Sequence, residues 1–169
     1  MRQNGNKAGA TMTTRRDRMI KERIHDPYHV RHKPAEGTTC PSCGLVFRGG
    51  AWRKDGAGAN AATSTCPACQ RVRDKMPAGT VTLSGSFLTA HNEEVLNLAR
   101  RAAEREGETH PLHRIMQIEE DDDGYVITTT DIHLPRLIGQ SLQKAYSGDL
   151  DIAYGDEAYS VRVAWSRDQ

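Results

Sequence analysis

The sequence predicts an α+β fold in which a small four-cysteine zinc ribbon precedes a two-layer domain. Two observations support this: paired Cys-x-x-Cys motifs within residues 38–77, and alternating helical and strand periodicities within residues 81–169. Residues 1–37 are basic and poor in apolar side chains, which predicts a mostly flexible N-terminal tail. A chain of 169 residues has room for one such module and one compact domain.

Within the predicted C-terminal domain, helical and strand patterns follow one another in a regular order. Apolar residues recur at helical spacing over about residues 86–105, and Gly107 is expected to end that helix. Residues 113–130 favour a hairpin with an Asp-Gly turn, and residues 150–165 favour a second hairpin. Between them a second helix is expected to start at Asp131 or His133 and to be capped at its end by Gly148. The order helix-hairpin-helix-hairpin predicts a four-stranded antiparallel sheet carrying both helices on one face.

The four cysteines are the strongest functional signal in the chain. Cys40 and Cys43 form one Cys-Pro-x-Cys knuckle, and Cys66 and Cys69 form another after 22 intervening residues. This spacing is typical of a tetrahedral four-thiolate zinc site. The first knuckle is followed by Gly44, which can supply the positive φ that such turns need. Four protein ligands leave no open position, so the predicted single Zn²⁺ is structural rather than catalytic.

Three other uses of these cysteines are compatible with the motif. A redox Cys-x-x-Cys pair usually occurs singly and at the start of a helix. Two disulfides would require an oxidising compartment. An iron–sulfur cluster can also be held by Cys-x-x-Cys pairs. Zinc remains the favoured interpretation because two closely spaced pairs occur in a short, core-poor segment.

The charge distribution points to a polyanionic partner. Residues 1–80 carry 15 Lys/Arg and six Asp/Glu, whereas residues 81–169 carry eight and 16. Arginine beside aromatic rings can clamp phosphates and stack on unpaired bases, which favours RNA. The predicted nucleic-acid contacts are Arg15, Arg16, Arg18, Lys21, Arg23, Arg31, Lys33, Arg48, Trp52, Arg53, Lys54, Arg71, Arg73 and Lys75.

Two alternatives to RNA binding remain open. The basic residues could solvate the surface or attract the acidic half of the same chain. The ribbon could also serve as a protein–protein adaptor or regulator with no nucleic-acid role.

Other polar segments give weaker signals. Residues 128–133, Thr-Thr-Thr-Asp-Ile-His, could form an active site, but Thr130 or Asp131 is better explained as a helix N-cap. The acidic run 119–123 lacks the spacing of a calcium loop and is expected to be a solvated hairpin tip. A metal role for His25, His29 and His32 is disfavoured because Pro27 interrupts the segment. No nucleophile–base pair is evident, so the protein is predicted not to be an enzyme.

The sequence also bears on location. It has no apolar run near the roughly 20 residues that span a bilayer, and residues 1–6 do not resemble a secretory signal. We therefore expect a soluble, cytoplasmic protein with no membrane or small-molecule partner.

Several segments together resemble a bacterial two-knuckle zinc-ribbon family. They are Asp26-Pro27-Tyr28, the two Cys-Pro-x-Cys knuckles, Pro77-Ala78-Gly79, Ser84-Gly85-Ser86-Phe87, and the segments 92–98 and 128–134. That family is distantly similar to the archaeal and eukaryotic adaptor for nonsense-mediated decay and large-ribosomal-subunit export. The adaptor has further cysteines, domains and export signals that this chain lacks. The resemblance implies ribosome or large-subunit rRNA binding, with the acidic domain facing a basic ribosomal protein or solvent. Only the four cysteines carry over as site residues.

Overall fold

The computed structural model describes residues 26–29, 32–54, 56, 62–156 and 158–169. Within them lie three helices and seven strands in two sheets. The elements are β1 (Val46–Arg48), β2 (Ala51–Arg53), α1 (Pro67–Asp74), β3 (Gly79–Ser84), α2 (Phe87–Thr109), β4 (Ile115–Asp121), β5 (Gly124–Thr129), α3 (His133–Tyr146), β6 (Asp149–Tyr154) and β7 (Val161–Ser166). The α+β class is thus confirmed. No helix of the described part has the length and apolar character needed to cross a bilayer.

The main sheet differs from the predicted one in strand number and direction. It has five strands in the order β4-β5-β3-β7-β6, not four. The additional strand β3 lies at the centre, antiparallel to β5 and parallel to β7. The prediction of a four-stranded, wholly antiparallel sheet was therefore wrong. Strand β3 has the alternation Thr-Val-Thr-Leu, but both of its partners lie far along the chain, so no hairpin signal marks it.

The other predicted elements of this domain are present. Both hairpins form, β4 with β5 and β6 with β7. Helix α2 continues two residues beyond Gly107, which therefore does not end it, and the backbone leaves helical geometry once, at His91. Helix α3 ends at Tyr146. Its C-cap residue Ser147 has a positive φ, and Gly148 follows with φ +88°.

One face of the main sheet carries the hydrophobic core. Alternate residues of the central strands point to it, and α2 and α3 cover it with side chains such as Val95 and Ile138. Trp165 of β7 is fully buried there, and its indole Nε1 donates to the Ser147 carbonyl at 2.8 Å. The hydrogen bond satisfies the polar atom of a side chain that is otherwise surrounded by apolar groups.

The cysteine module, residues 38–77, has a separate and much smaller core. Strands β1 and β2 form a hairpin in which the Phe47 and Trp52 rings meet edge to face, 5.6 Å apart. The buried set is Cys40, Leu45, Phe47, Trp52, Cys66 and Ala68, and Leu112 of the following domain packs against it. So small a core gives little stability without an additional cross-link.

Gly79 lies where β3, β5 and the start of α3 converge. A Cβ atom there would contact the Pro135 ring and lie 2.5 Å from Thr129 Oγ1 and 2.7 Å from the Asp131 carbonyl oxygen. We therefore expect Gly79→Ala to destabilise the protein by about 1–3 kcal/mol, because nothing in this junction can move aside. Chemical denaturation followed by circular dichroism would measure the change.

The matched control is Gly107→Ala. Gly107 lies within α2, and its nearest neighbours are 4.0 Å from the position of an added Cβ. Alanine should stabilise the helix there by about 0.5–1 kcal/mol. Equal effects of the two substitutions would contradict the close packing at Gly79.

Candidate metal centre

The two knuckles bring all four cysteine sulfurs together. The sulfurs lie within 4.8 Å of one another, and Cys43 Sγ is 3.7 Å from Cys66 Sγ. A tetrahedral site with Zn–S bonds of about 2.3 Å places its sulfurs about 3.8 Å apart. Cys40 and Cys66 are buried, Cys69 is half-buried, and Cys43 is exposed. None of the four forms a disulfide. The arrangement suits a single metal ion such as zinc.

Local backbone geometry explains why each knuckle presents its sulfurs this way. Gly44 has φ +77°, as predicted, and its N–H donates to the Cys40 carbonyl at 2.9 Å, closing the first turn. In the second knuckle Cys66 is the N-cap of α1, and its sulfur accepts a hydrogen bond from Cys69 N at 3.5 Å. Pro67 occupies the first turn of α1, where its missing N–H has no consequence.

Burial and hydrogen bonding act in opposite directions on three of the cysteine thiols. Burial raises the pKa of Cys66 and of Cys69. Burial acts the same way on Cys40, but N–H donors from Cys66, Cys43 and Ser42 outweigh it and lower the pKa of Cys40 to about 6. A divalent cation removes this conflict, since it stabilises all four thiolates at once.

A basic side chain that the sequence analysis did not single out completes the cluster. Arg114 lies just before β4, and its guanidinium donates to Cys43 Sγ at 3.3 Å and to Cys69 Sγ at 3.4 Å, with Cys66 Sγ at 3.8 Å. Its Nε donates to the Pro111 carbonyl at 2.8 Å. Four thiolates with one divalent ion carry a net charge of −2, and Arg114 reduces it to −1.

Thr130 holds the segment that carries Arg114. Its hydroxyl donates to the Leu112 carbonyl at 2.6 Å and accepts from Arg114 N at 2.9 Å. Its own N–H donates to the Arg114 carbonyl at 2.9 Å. These bonds tie residues 112–114 to the end of β5. Thr130 is therefore a positioning residue for the guanidinium on the thiolates.

The neighbouring Asp131 caps the first turn of α3 with its side chain, although the N-cap position is Ile132 and not Thr130 or Asp131 as predicted. Its Oδ2 accepts from the N–H groups of His133 and Leu134, at 2.7 and 3.1 Å, in the first turn of α3. Burial raises the pKa of the Asp131 carboxyl, and His133 and Leu134 N–H donation opposes the rise. Thr129 completes the turn by donating its hydroxyl to the Asp131 carbonyl.

The residues predicted to contact nucleic acid fall into three groups. Arg15, Arg16, Arg18, Lys21, Arg23 and Arg31 lie outside the described residues. The side chains of Lys33, Arg53, Lys54, Arg73 and Lys75 are exposed, and that of Arg48 is half-buried. Trp52 and Arg71 are buried, at 8% and 4% exposure, so neither offers an open face for stacking.

Arg71 has a structural role instead. Its guanidinium bonds Asp26 Oδ1 at 2.5 Å and the Met76 carbonyl at 2.8 Å, and it lies 4.4 Å from the centre of the Tyr28 ring. The Tyr28 hydroxyl also donates to Asp74 Oδ2 at 3.0 Å. The described part of the N-terminal segment is thereby attached to α1.

The described N-terminal histidines and the acidic run 119–123 lie apart from the cysteine cluster. His25 lies outside the described residues, and His29 lines a cavity of about 540 Å³ between the cysteine module and the C-terminal domain. Phe47, Trp52 and Leu112 contribute its apolar walls. The acidic run 119–123 forms the end of β4 and the exposed turn before β5, as predicted.

Fold and site together define an α+β protein with a mixed five-stranded sheet and a four-cysteine candidate metal centre that contacts Leu112 and Arg114 of the α2–β4 connection. Comparisons with known protein families, curated proteins and solved structures find no match for this chain.

Replacing Arg114 should weaken metal binding without removing a ligand. We expect Arg114→Met to lower the affinity for Co²⁺ about 10–100-fold, because three sulfurs lose a positively charged donor. Arg114→Lys should recover part of the loss, since it keeps the charge but not the fork of donors. The thiolate-to-cobalt absorption band reports occupancy during titration.

The exposed Arg101 provides the control, because Arg101→Met removes the same charge far from the sulfurs. Wild-type affinity in Arg114→Met, or an equal loss in both variants, would show that the guanidinium does not stabilise the bound metal.

Proposed function

We propose that the cluster holds one structural Zn²⁺ and that this ion folds the cysteine module. The support is the sulfur geometry together with the small core of the module. Structural zinc supplies about 10–16 kcal/mol of folding free energy in comparable small modules. Four thiolates fill the tetrahedral coordination sphere, so no position is left for a substrate or an activated water.

After dialysis against a chelator of moderate strength, we expect the wild-type protein to retain one zinc per chain by elemental analysis. Cys66→Ser should lose it, because three thiolates hold the ion less tightly and Cys66 is buried. Hydrogen exchange should then rise across residues 38–77 while the core strands β3 and β7 stay protected. Iron in place of zinc, or full zinc retention by Cys66→Ser, would contradict the proposal.

We further propose that the protein is a non-catalytic, cytoplasmic RNA-binding protein. The observation that carries this proposal is the basic surface of the β1–β2 hairpin. Cross-strand register places Arg48 and Arg53 on one face of the hairpin, opposite the face that buries Phe47 and Trp52. Arg53 Nε also donates to the Arg48 carbonyl at 3.2 Å, which fixes the direction of its side chain.

Lys33 extends this basic surface. The Lys33 ammonium lies beside Gly50 and the Arg53 guanidinium beside Gly49, 3.8 and 3.7 Å from where a Cβ would stand at those glycines. Both cationic groups therefore flank the tight turn of the hairpin. Closely spaced cations at a hairpin turn suit the phosphates of a folded RNA.

The ribosome is the partner that we propose for this surface. The family resemblance implies large-subunit rRNA, and the opposite charges of residues 1–80 and 81–169 are consistent with it. In this arrangement the hairpin contacts rRNA, and the acidic C-terminal domain faces a basic ribosomal protein or solvent.

Removing the hairpin cations should weaken RNA binding. We expect Arg48→Ala/Arg53→Ala to reduce affinity for rRNA and to lower the slope of log K against log salt by about 0.7 for each lost phosphate contact. The matched control is Arg101→Ala/Arg105→Ala, which removes two exposed arginines from the acidic domain. Filter binding at several salt concentrations measures both quantities, and equal effects of the two pairs would contradict the assignment of the surface.

Sedimentation of a low-salt cell lysate tests the ribosomal partner separately. The protein should travel with large subunits and leave them as salt rises. Recovery at the top of the gradient at low salt would overturn this partner. Protein partners that survive nuclease treatment, with no rRNA retained, would favour the adaptor function instead.

A further inference from the structure

A second group of metal-ligating side chains lies at the end of α2. It consists of Glu106, His110 and His113, each able to offer one ligand atom, and these atoms lie within 4.8 Å of one another. Glu106 Oε1 is 2.8 Å from His113 Nδ1 and 3.2 Å from His110 Nδ1. The group contains none of the four cysteines and is separate from the proposed zinc site.

The backbone places these three side chains in a fixed relation. His110 is the C-cap of α2, and its N–H donates to the Glu106 carbonyl at 2.8 Å. A turn follows the helix and is closed by the hydrogen bond from the His113 N–H to the His110 carbonyl, at 2.9 Å. Glu106 and His110 are four residues apart at the helix end, and the turn after the helix brings His113 beside Glu106. The rings of His110 and His113 stack in parallel, 4.8 Å apart.

These distances suit a small divalent cation. Bonds of about 2.0–2.1 Å from nitrogen and oxygen to a tetrahedral metal separate the donor atoms by about 3.3 Å. Both imidazoles direct Nδ1 toward the same carboxylate oxygen, so the donors already converge. Two imidazoles and one carboxylate form a ligand set typical of first-row divalent metals with open coordination positions.

A buried carboxylate beside the group supplies an independent indication of a cation. Asp131 is 4% exposed, and its Oδ2 is 3.5 Å from His113 Nδ1. Its Oδ1 is buried and has no hydrogen-bond partner among the described residues. His113 therefore faces two carboxylates, Glu106 and Asp131, of which the second is incompletely satisfied. A cation bound at His113 Nδ1 would compensate this negative charge, because Asp131 Oδ2 lies 3.5 Å from the same nitrogen.

Another histidine–carboxylate contact on the same helix lacks these features. His91 Nδ1 and Glu94 Oε2 are 3.4 Å apart, with the Glu94 side chain 62% exposed. One imidazole meets one solvated carboxylate there, and although His91 Nδ1 is itself buried without a hydrogen-bond partner, the described residues place no third metal-ligating group beside this pair. At the end of α2 two imidazoles share one oxygen of Glu106, whose side chain is 17% exposed.

We propose that Glu106, His110 and His113 form a second metal site, for a divalent transition-metal ion such as Zn²⁺. With three protein ligands the ion keeps an open coordination position. His110 and His113 also line the cavity of about 540 Å³ between the cysteine module and the C-terminal domain. An external ligand such as a small anion or an RNA phosphate can reach the ion from there.

The test uses the full-length protein, dialysed to one zinc per chain, and titrates it with Zn²⁺ against a chromophoric chelator. A second equivalent should bind to the wild type. His110→Ala and Glu106→Gln should bind it at least ten-fold more weakly, and the exposed position of His110 makes misfolding of that variant a minor concern. His91→Ala is the matched control and should retain the second equivalent.

Two results would overturn the proposal. One is a wild type that takes up no second equivalent. The other is a second equivalent that persists in His110→Ala. Its loss in His29→Ala/His32→Ala would then place it at those histidines instead. Failure of the four-thiolate proposal is recognised separately, because Co²⁺ at sulfur ligands gives a thiolate charge-transfer band that cobalt on nitrogen and oxygen ligands lacks.

Discussion

The contact between Arg114 and the cysteine sulfurs is the interaction on which the cysteine module depends. It places a cation from the C-terminal domain against a cluster that becomes doubly negative when it binds a divalent ion. Without that charge a half-buried group of thiolates would be costly to form. Leu112, two residues earlier, packs into the small core of the cysteine module. The module therefore relies on the larger domain for apolar cover and for charge compensation, so the two parts are energetically coupled.

The sequence predicted the features whose determinants are close together along the chain. Each knuckle is a two-residue gap followed by a turn, and each hairpin pairs neighbouring segments, so spacing alone identified them. Strand β3 and Arg114 depend on partners far away in sequence. A single arginine before a strand has no pattern that distinguishes it from a solvated one. The hydrogen bonds of Thr130, which no sequence pattern indicates, hold its segment beside the sulfurs.

Composition showed that residues 1–80 carry a net positive charge, but it did not show the role of each basic residue. Arg71 counts as one positive charge in the sequence, yet it is buried and paired with Asp26. Trp52 fits the expected arginine–aromatic pattern, but its ring fills the core of the module. Arg53 is exposed on the hairpin face opposite Phe47 and Trp52, whereas Arg71 lies in α1 and is 4% exposed.

The connection between α2 and β4 contributes residues to both candidate metal sites. Within residues 110–114 lie two imidazoles of the proposed second site, the apolar contact of Leu112, and the guanidinium of Arg114. Thr130 fixes this connection, and the adjacent Asp131 contacts His113. Any rearrangement that separated His113 from Glu106 would involve the same short connection that holds Arg114 on the sulfurs. If both proposed sites bind ions, an ion at either site would favour the loop conformation that the other requires, because coupling between sites is reciprocal.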